Sequence, residues 1–307
     1  MKFSVFILGC FSAAPKADKN TSAQLVDIKD ELFLLDCGEG TQMQFSKYNI
    51  RFSRINNIFI SHLHGDHYLG LTGLLFTYHL LRREKELNIY APNGLEEIIN
   101  LQLKAAGCNL LYPLKFHIIN TTDKAIIFEN DKIIIEAFPL FHRIETYGFL
   151  FKEKNTEKNI SKSFLEIESP DFNAMKDIKR GFDYINKNGK LYRNNEITLT
   201  TPLQRSYAYC SDTAFHLSIV DYIKGVDLLY FESTFLNKHK ELAKEKGHST
   251  TTDAATIASM AAVKNLIVGH FSGRYSFEEI SFFLDEALLT FQNTKLALTG
   301  SVFYIDK

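Results

Sequence analysis

The 307-residue sequence has only four cysteines, Cys10, Cys37, Cys108 and Cys210, and no two form a C-x-x-C pair. That excludes a disulfide framework and a thiolate zinc site, and it points to reduced thiols in a cytoplasmic protein. No apolar run is long enough to span a bilayer, so no membrane partner is expected. The apolar start is short and soon turns polar, which reads as a first strand and not a signal peptide. Charge of one sign is lacking too: Lys plus Arg number 35 and Asp plus Glu 36, a net charge of −1. A nucleic-acid partner would have to be held by local basic patches, not by the field of the whole molecule. No internal repeat recurs at a solenoid period.

What is present is core material. Hydrophobic residues make up 45% of the chain, enough for one large domain over residues 1–307 or two intimately packed halves. Within it, Ser61-His62-Leu63-His64-Gly65-Asp66-His67 crowds three histidines and an aspartate together. The apolar run Ile58-Phe59-Ile60 before it has the character of a buried strand, and Leu69 to Leu75 after it can start a helix. The cluster is expected on a tight turn between them. Imidazole nitrogen and carboxylate oxygen are donors that suit zinc.

Strands are expected at 3–8, 23–28 and 31–35, with a Lys29-Asp30 hairpin turn, then at 57–60 and 87–90. Residues 116–119, 125–128 and 133–138 read as an antiparallel set, and 146–151, 206–210, 228–231, 266–269 and 296–298 as further strands. Helices are expected at 71–83, 94–106, 253–262 and 277–291, the second with Leu95, Ile98, Ile99, Leu101 and Leu103 on or near one face. His62, His142, Asp212, Glu232 and His270 each stand at the C-terminal end of such a strand. Strand ends can converge on one edge of a packed sheet.

A dinuclear site needs six or seven ligands, and seven are available. His62, His64 and His142 are expected on one zinc, and Asp66, His67 and His270 on the other. Asp212 is expected to bridge, since two carboxylate oxygens can span metals about 3.5–4 Å apart. Zinc lowers the pKa of bound water to about 7, which makes a nucleophile at neutral pH. Asp66 is the natural proton acceptor for it. Asp36 reads as a carboxylate that either fixes a liganding histidine or stabilises its own turn.

The H-x-H-x-D-H pattern resembles the metallo-β-lactamase superfamily. The match is closer to the ribonuclease Z (tRNA 3′-processing endonuclease) branch. Leu34 to Gln42, Ser61 to Leu75, Ser211-Asp212-Thr213, Glu232-Ser233-Thr234-Phe235, Gly247-His248-Ser249-Thr250 and His270 to Tyr275 carry it, in the family's order. The resemblance implies an α/β fold of the α+β kind, a four-layer αββα sandwich, with two Zn2+ per chain and a homodimer. It implies an endoribonuclease that removes the 3′ trailer from precursor tRNA, leaving a 3′-hydroxyl on the tRNA and a 5′-phosphate on the trailer. Glu232 is expected to orient His248, which then donates a proton to the leaving 3′ oxygen or stabilises its charge. Arg274 is a candidate for a substrate phosphate.

Residues 152–193 change in texture: ten Lys or Arg against seven Asp or Glu, with few apolar side chains. They read as a protruding, partly mobile arm, too polar for its own core, with a short helix near 174–180. The arm lies where the family carries its tRNA-binding exosite, but without the family's Gly-Pro-rich tip. Two other functions fit the metal ligands alone: a hydrolase of small substrates such as a lactam, thioester or cyclic nucleotide, and a non-catalytic binding module that keeps zinc for stability.

Overall fold

The structure, a computed structural model, describes residues 2–154, 158–199 and 204–306. Met1 of the first strand and residues 155–157 of the expected arm lie outside them. Strands β1 (Phe3–Gly9), β2 (Ala23–Ile28) and β3 (Glu31–Leu35) form a meander, followed by helix α1 (Thr41–Lys47). Next come β4 (Ile55–Phe59), α2 (Gly65–Leu80), β5 (Leu87–Ala91), α3 (Leu95–Ala105) and β6 (Leu114–Ile118), with β3 to β6 parallel. The chain then changes sheet for β7 (Ala125–Glu129), β8 (Ile133–Pro139) and β9 (Tyr147–Glu153).

An arm contributes α4 (Lys162–Glu168), α5 (Phe172–Arg180), the small hairpin β10 (Tyr184–Ile185) and β11 (Leu191–Tyr192), and α6 (Asn194–Ile197). The second sheet resumes with β12 (Ser206–Cys210), α7 (Ile219–Tyr222), β13 (Leu228–Glu232), α8 (Lys240–Lys246) and α9 (Thr251–Met260). It ends with β14 (Asn265–Gly269), α10 (Ile280–Leu288) and β15 (Thr294–Leu296), and β16 (Val302–Tyr304) returns to the first sheet. The two sheets run β16-β1-β2-β3-β4-β5-β6 and β15-β14-β13-β12-β9-β8-β7.

Alternation along the strands builds the layers. Phe33 and Leu35 of β3 face the second sheet, while Leu32 and Leu34 face α1, α2 and α3. Between the sheets Phe59 meets Phe149 and Phe151 edge-on, at centroid distances of 5.5 and 5.8 Å. Such ring pairs add about 0.5–1.5 kcal/mol each beyond their buried area. The outer face of the second sheet is covered by α7, α9 and α10 through Ile219, Ala254, Ile257, Ala258 and Phe283. The order is helices, sheet, sheet, helices: the expected four-layer αββα sandwich.

Several expectations need correcting. α2 starts at Gly65, not Leu71, so Asp66 and His67 occupy a helical first turn. β6 is not in the antiparallel set: it pairs parallel with β5, and the change of sheet falls between β6 and β7. Both strands are apolar and alternating, so periodicity could not tell which sheet takes β6. β16 was not foreseen, because three residues near the end of the chain give no period to read. In α3 only Leu95, Ile99 and Leu103 are buried, and Leu101 is exposed.

The arm, too, departs from its reading. It has a core of its own: Ile160, Phe164, Ile178 and Ile197, with Leu165, Met175, Tyr184 and Tyr192 packed against them. Few apolar residues suffice because polar side chains tie the backbone. Ser161 and Asp171 cap α4 and α5, and the Asn194 amide donates to the carbonyls of Ile178 and Phe182 at 2.7 and 2.8 Å. Lys152 and Glu153 belong to β9 and not to the arm, since Lys152 pairs with Ser206. The helix expected at 174–180 begins at Phe172.

Candidate metal centre

All seven expected ligands meet at one edge of the sandwich. His62 and His64 follow β4, with His64 at the N-cap of α2 and Asp66 and His67 in its first turn. His142 follows β8, Asp212 follows β12 and His270 follows β14. Glycine allows this convergence: a Cβ on Gly70 would lie 2.1 Å from the Gly38 carbonyl, so the turn after β3 can press against α2. Asp36 and His270 hold left-handed backbone, with φ of 53° and 63°. That conformation costs non-glycine residues about 1 kcal/mol and recurs at functional sites.

The donor atoms fall into two groups sharing Asp212. His62 Nε2 lies 3.0 Å from His64 Nδ1, which lies 3.2 Å from His142 Nε2. Asp212 Oδ2 is 3.5 Å from His62 Nε2 and 3.8 Å from His142 Nε2. In the other group His67 Nε2 and His270 Nε2 are 3.2 Å apart, with Asp66 Oδ2 at 3.6 and 3.4 Å from them. Asp212 Oδ1 stands 3.3 and 3.1 Å from the same two nitrogens.

Four of the five imidazoles have their outer nitrogen engaged. His67 Nδ1 is 2.8 Å from Asp36 Oδ2, His142 Nδ1 donates to the Gly247 carbonyl at 2.7 Å, and His270 Nδ1 meets Thr234 Oγ1 at 2.9 Å. His62 Nδ1 lies 3.0 Å from Ser61 Oγ. Each such contact turns Nε2 inward. Asp36 is wholly buried and also accepts from the Ser61 N–H at 2.7 Å, Ser61 Oγ at 2.9 Å and Tyr209 Oη at 2.6 Å. Asp66 Oδ2 accepts the Ala13 N–H at 2.7 Å.

Electrostatics sort the groups the same way. Burial holds His62, His64 and His142 below the usual histidine range, so they stay neutral with a lone pair to give. Burial opposes ionisation of Asp66 and Asp212 as well. Yet His67 holds Asp66, and His270 and His67 hold Asp212, well below the usual carboxylate range. The residues fit a pair of cations. Ring nitrogens face each other at hydrogen-bond distance, and among the described residues the buried Asp212 Oδ1 accepts no hydrogen bond. Both facts are explained if a cation takes the lone pairs of each group.

Glu232 ends β13 and is wholly buried. It accepts from the N–H groups of Thr213, Ser249 and Thr234, at 3.1, 3.1 and 2.9 Å, and from Thr234 Oγ1 at 2.7 Å. His248 Nδ1 is 2.8 Å from Glu232 Oε1. Burial lowers the His248 pKa, but Glu232 and Asp212 outweigh it and push it up to about 9. An open cleft of about 420 Å³ is lined by His64, Asp66, Asp212, His248 and His270, together with Ser12, Glu39 and Arg143. Arg274 does not line it: the side chain is exposed, with its guanidinium 5.1 Å above the Phe235 ring.

Sequence reasoning missed Tyr209, the Ser61 hydroxyl, Thr234, the Ala13 N–H and Arg143. Ser61, Thr234 and Arg143 sit beside motif residues already singled out. Nothing marked Tyr209 or the Ala13 peptide.

The chain resembles known proteins over its whole length. A protein named Ribonuclease Z from Bacteroides fragilis (strain YCH46) is 43% identical over 296 residues, 96% of this chain and 97% of that one. The structure of human tRNase Z, short form, superposes with a TM-score of 0.72 at 27% identity, covering 99% of this chain and 100% of that one. The metallo-β-lactamase fold protein YhfI from Bacillus subtilis gives 0.70 at 17% identity, covering 99% and 100%. A family model described as Anti-Pycsar protein Apyc1 matches residues 3–161, which end before Asp212, Glu232, His248 and His270. The chain has the metallo-β-lactamase fold and belongs to the ribonuclease Z family, and over residues 3–161 it also belongs to the family of the Apyc1 model.

Proposed function

We propose that this chain is a metal-dependent endoribonuclease that cuts precursor tRNA at the 3′ end of the mature sequence, releasing the trailer with a 5′-phosphate. The observation that carries the reading is the sharing of Asp212, one oxygen facing each group of donors. His62 Nε2, His64 Nδ1, His142 Nε2 and Asp212 Oδ2 would hold one Zn2+. Asp66 Oδ2, His67 Nε2, His270 Nε2 and Asp212 Oδ1 would hold the other. A metal pair supplies Lewis acidity: it activates a water at neutral pH and offsets charge growing on a phosphoryl oxygen.

The protein's residues do the rest. Asp66, which opens on the cleft, is placed to accept the proton of the attacking water. His248, held by Glu232, carries its proton at neutral pH and delivers it to the departing 3′ oxygen. Asp36 fixes the ring of His67. The arm, which starts beyond Glu153 and has its own core, holds the tRNA body by shape and charge.

A cytoplasmic homodimer belongs to the same reading. Met43, Leu80 and Leu81, on or beside α1 and α2, are exposed apolar side chains that a second copy would cover. Incubation with labelled precursor tRNA, with and without chelator, tests the function. One chelator-sensitive cut after the discriminator base is expected. Chelator-insensitive or scattered cuts would overturn it.

A further inference from the structure

Substrate brings phosphate, and side chains that could grip it are few in the cleft. Glu39, Asp66 and Asp212 line it, and Arg143 is the one lysine or arginine among the lining residues. Arg143 follows His142 directly. Its Nε donates to the Lys246 carbonyl at 2.9 Å, which anchors the guanidinium. Nη1 and Nη2 make no hydrogen bond or ion pair among the described residues. Glu245, whose carboxylate feels the Arg143 charge, is itself paired with Lys246 at 2.7 Å. Gly247 makes room: a Cβ there would lie 3.5 Å from Arg143 Cγ and 3.2 Å from His142 Nδ1.

A guanidinium tethered at Nε with both Nη groups open is a fork for two phosphate oxygens. We propose that Arg143 is a substrate-binding residue, gripping the non-bridging oxygens of the phosphodiester seated in the metal cleft. Arg274 stands outside the cleft lining, over the Phe235 ring. The RNA side of this inference rests on the proposed function; the phosphodiester side does not.

The test uses the full-length, metal-loaded chain and the variants Arg143→Met and Arg143→Lys. Each is assayed on labelled precursor tRNA and on bis(p-nitrophenyl) phosphate, with metal content measured alongside. Arg143→Met is expected to keep its metal, raise KM about tenfold on both substrates, and flatten the log–log salt dependence of tRNA binding by about 0.7–0.9. Arg143→Lys restores the charge but not the Nε bond to Lys246. It should recover most of the salt slope and part of the KM.

Unchanged KM and slope in Arg143→Met would overturn the proposal while leaving the tRNA reading intact. Equal defects in Lys and Met variants would also overturn it, since Arg143 would then only pin the loop before His248. If the wild-type chain cuts the small diester but not tRNA, the tRNA reading fails and Arg143 is still decided on the diester. A chain that turns over neither overturns both.

Discussion

Asp36 Oδ2 and His67 Nδ1 face each other across 2.8 Å, both side chains wholly buried. The Asp36 backbone is left-handed, which asparagine tolerates, so Asp36→Asn keeps shape and removes charge. The variant is expected to fold and to bind metal about 10–100-fold more weakly. Competition titration against a chelator of known affinity measures this. Wild-type affinity would show that the Asp36 charge has no part in holding His67.

Much of this centre was legible because its ligands sit on short motifs at strand ends. A local pattern such as His62 to His67 survives in one dimension. What was not legible depends on packing between distant segments. Tyr209 reaches Asp36 only because β12 and the turn after β3 come from opposite sheets. β6 and β7 looked like neighbours because alternation reports a buried face, not which sheet supplies it. The arm core was hidden for a similar reason: Ile160, Phe164, Ile178 and Ile197 are scattered in a polar segment and meet only after its helices fold.

Asp212 is the residue both metal groups share. Asp212→Ala removes one donor from each, and with the two carboxylate contacts gone the bound metal is expected to fall from the proposed two ions per chain to one or fewer. Elemental analysis of the purified variant checks this. Two ions retained would mean that the groups hold metal independently and that Asp212 does not bridge.

His248 offers a different outcome. It lies within reach of Asp212 and His270 but outside the two proposed four-donor sets, and its Nδ1 is engaged by Glu232. His248→Ala is therefore expected to keep both metal ions and cleave precursor tRNA at least tenfold more slowly. Loss of metal would make it a ligand instead, and full activity would leave it a structural residue at the start of α9.

An ion pair at the edge of the second sheet reaches the first sheet through one further bond. Arg205 Nη2 and Nε bind Glu153 Oε1 and Oε2 at 2.7 and 2.9 Å, and Nη1 donates to the Ile305 carbonyl just past β16 at 2.8 Å. Arg205→Ala strands a buried carboxylate, at an expected cost of about 3–5 kcal/mol, read by denaturant unfolding. Burial pushes the Glu153 pKa up, but Arg205 outweighs burial and holds it below the ordinary 4.5. A depressed native pKa gives stability that is complete above the unfolded value and drains away as pH falls through the native one. Wild type should lose stability below about pH 4.5 more steeply than Glu153→Gln, which has no proton to take up there.

The arm can be removed along a natural seam. Leu199 donates its N–H to the Asn159 carbonyl at 2.7 Å, and Ile160 bridges to Thr198, so the chain returns to its point of departure. Replacing residues 160–198 with a two-residue Asn-Gly turn asks nothing of β9 or β12, whose pairing lies beyond the cut. The excised variant is expected to fold, keep its metal and hydrolyse bis(p-nitrophenyl) phosphate near the wild-type rate. Its KM for precursor tRNA is expected to rise at least a hundredfold, because the body of the tRNA has lost its second hold. Unchanged tRNA kinetics would leave the arm without a part in substrate binding. An equal fall on both substrates would mean that the arm supports the fold, a result that thermal unfolding of the variant identifies independently.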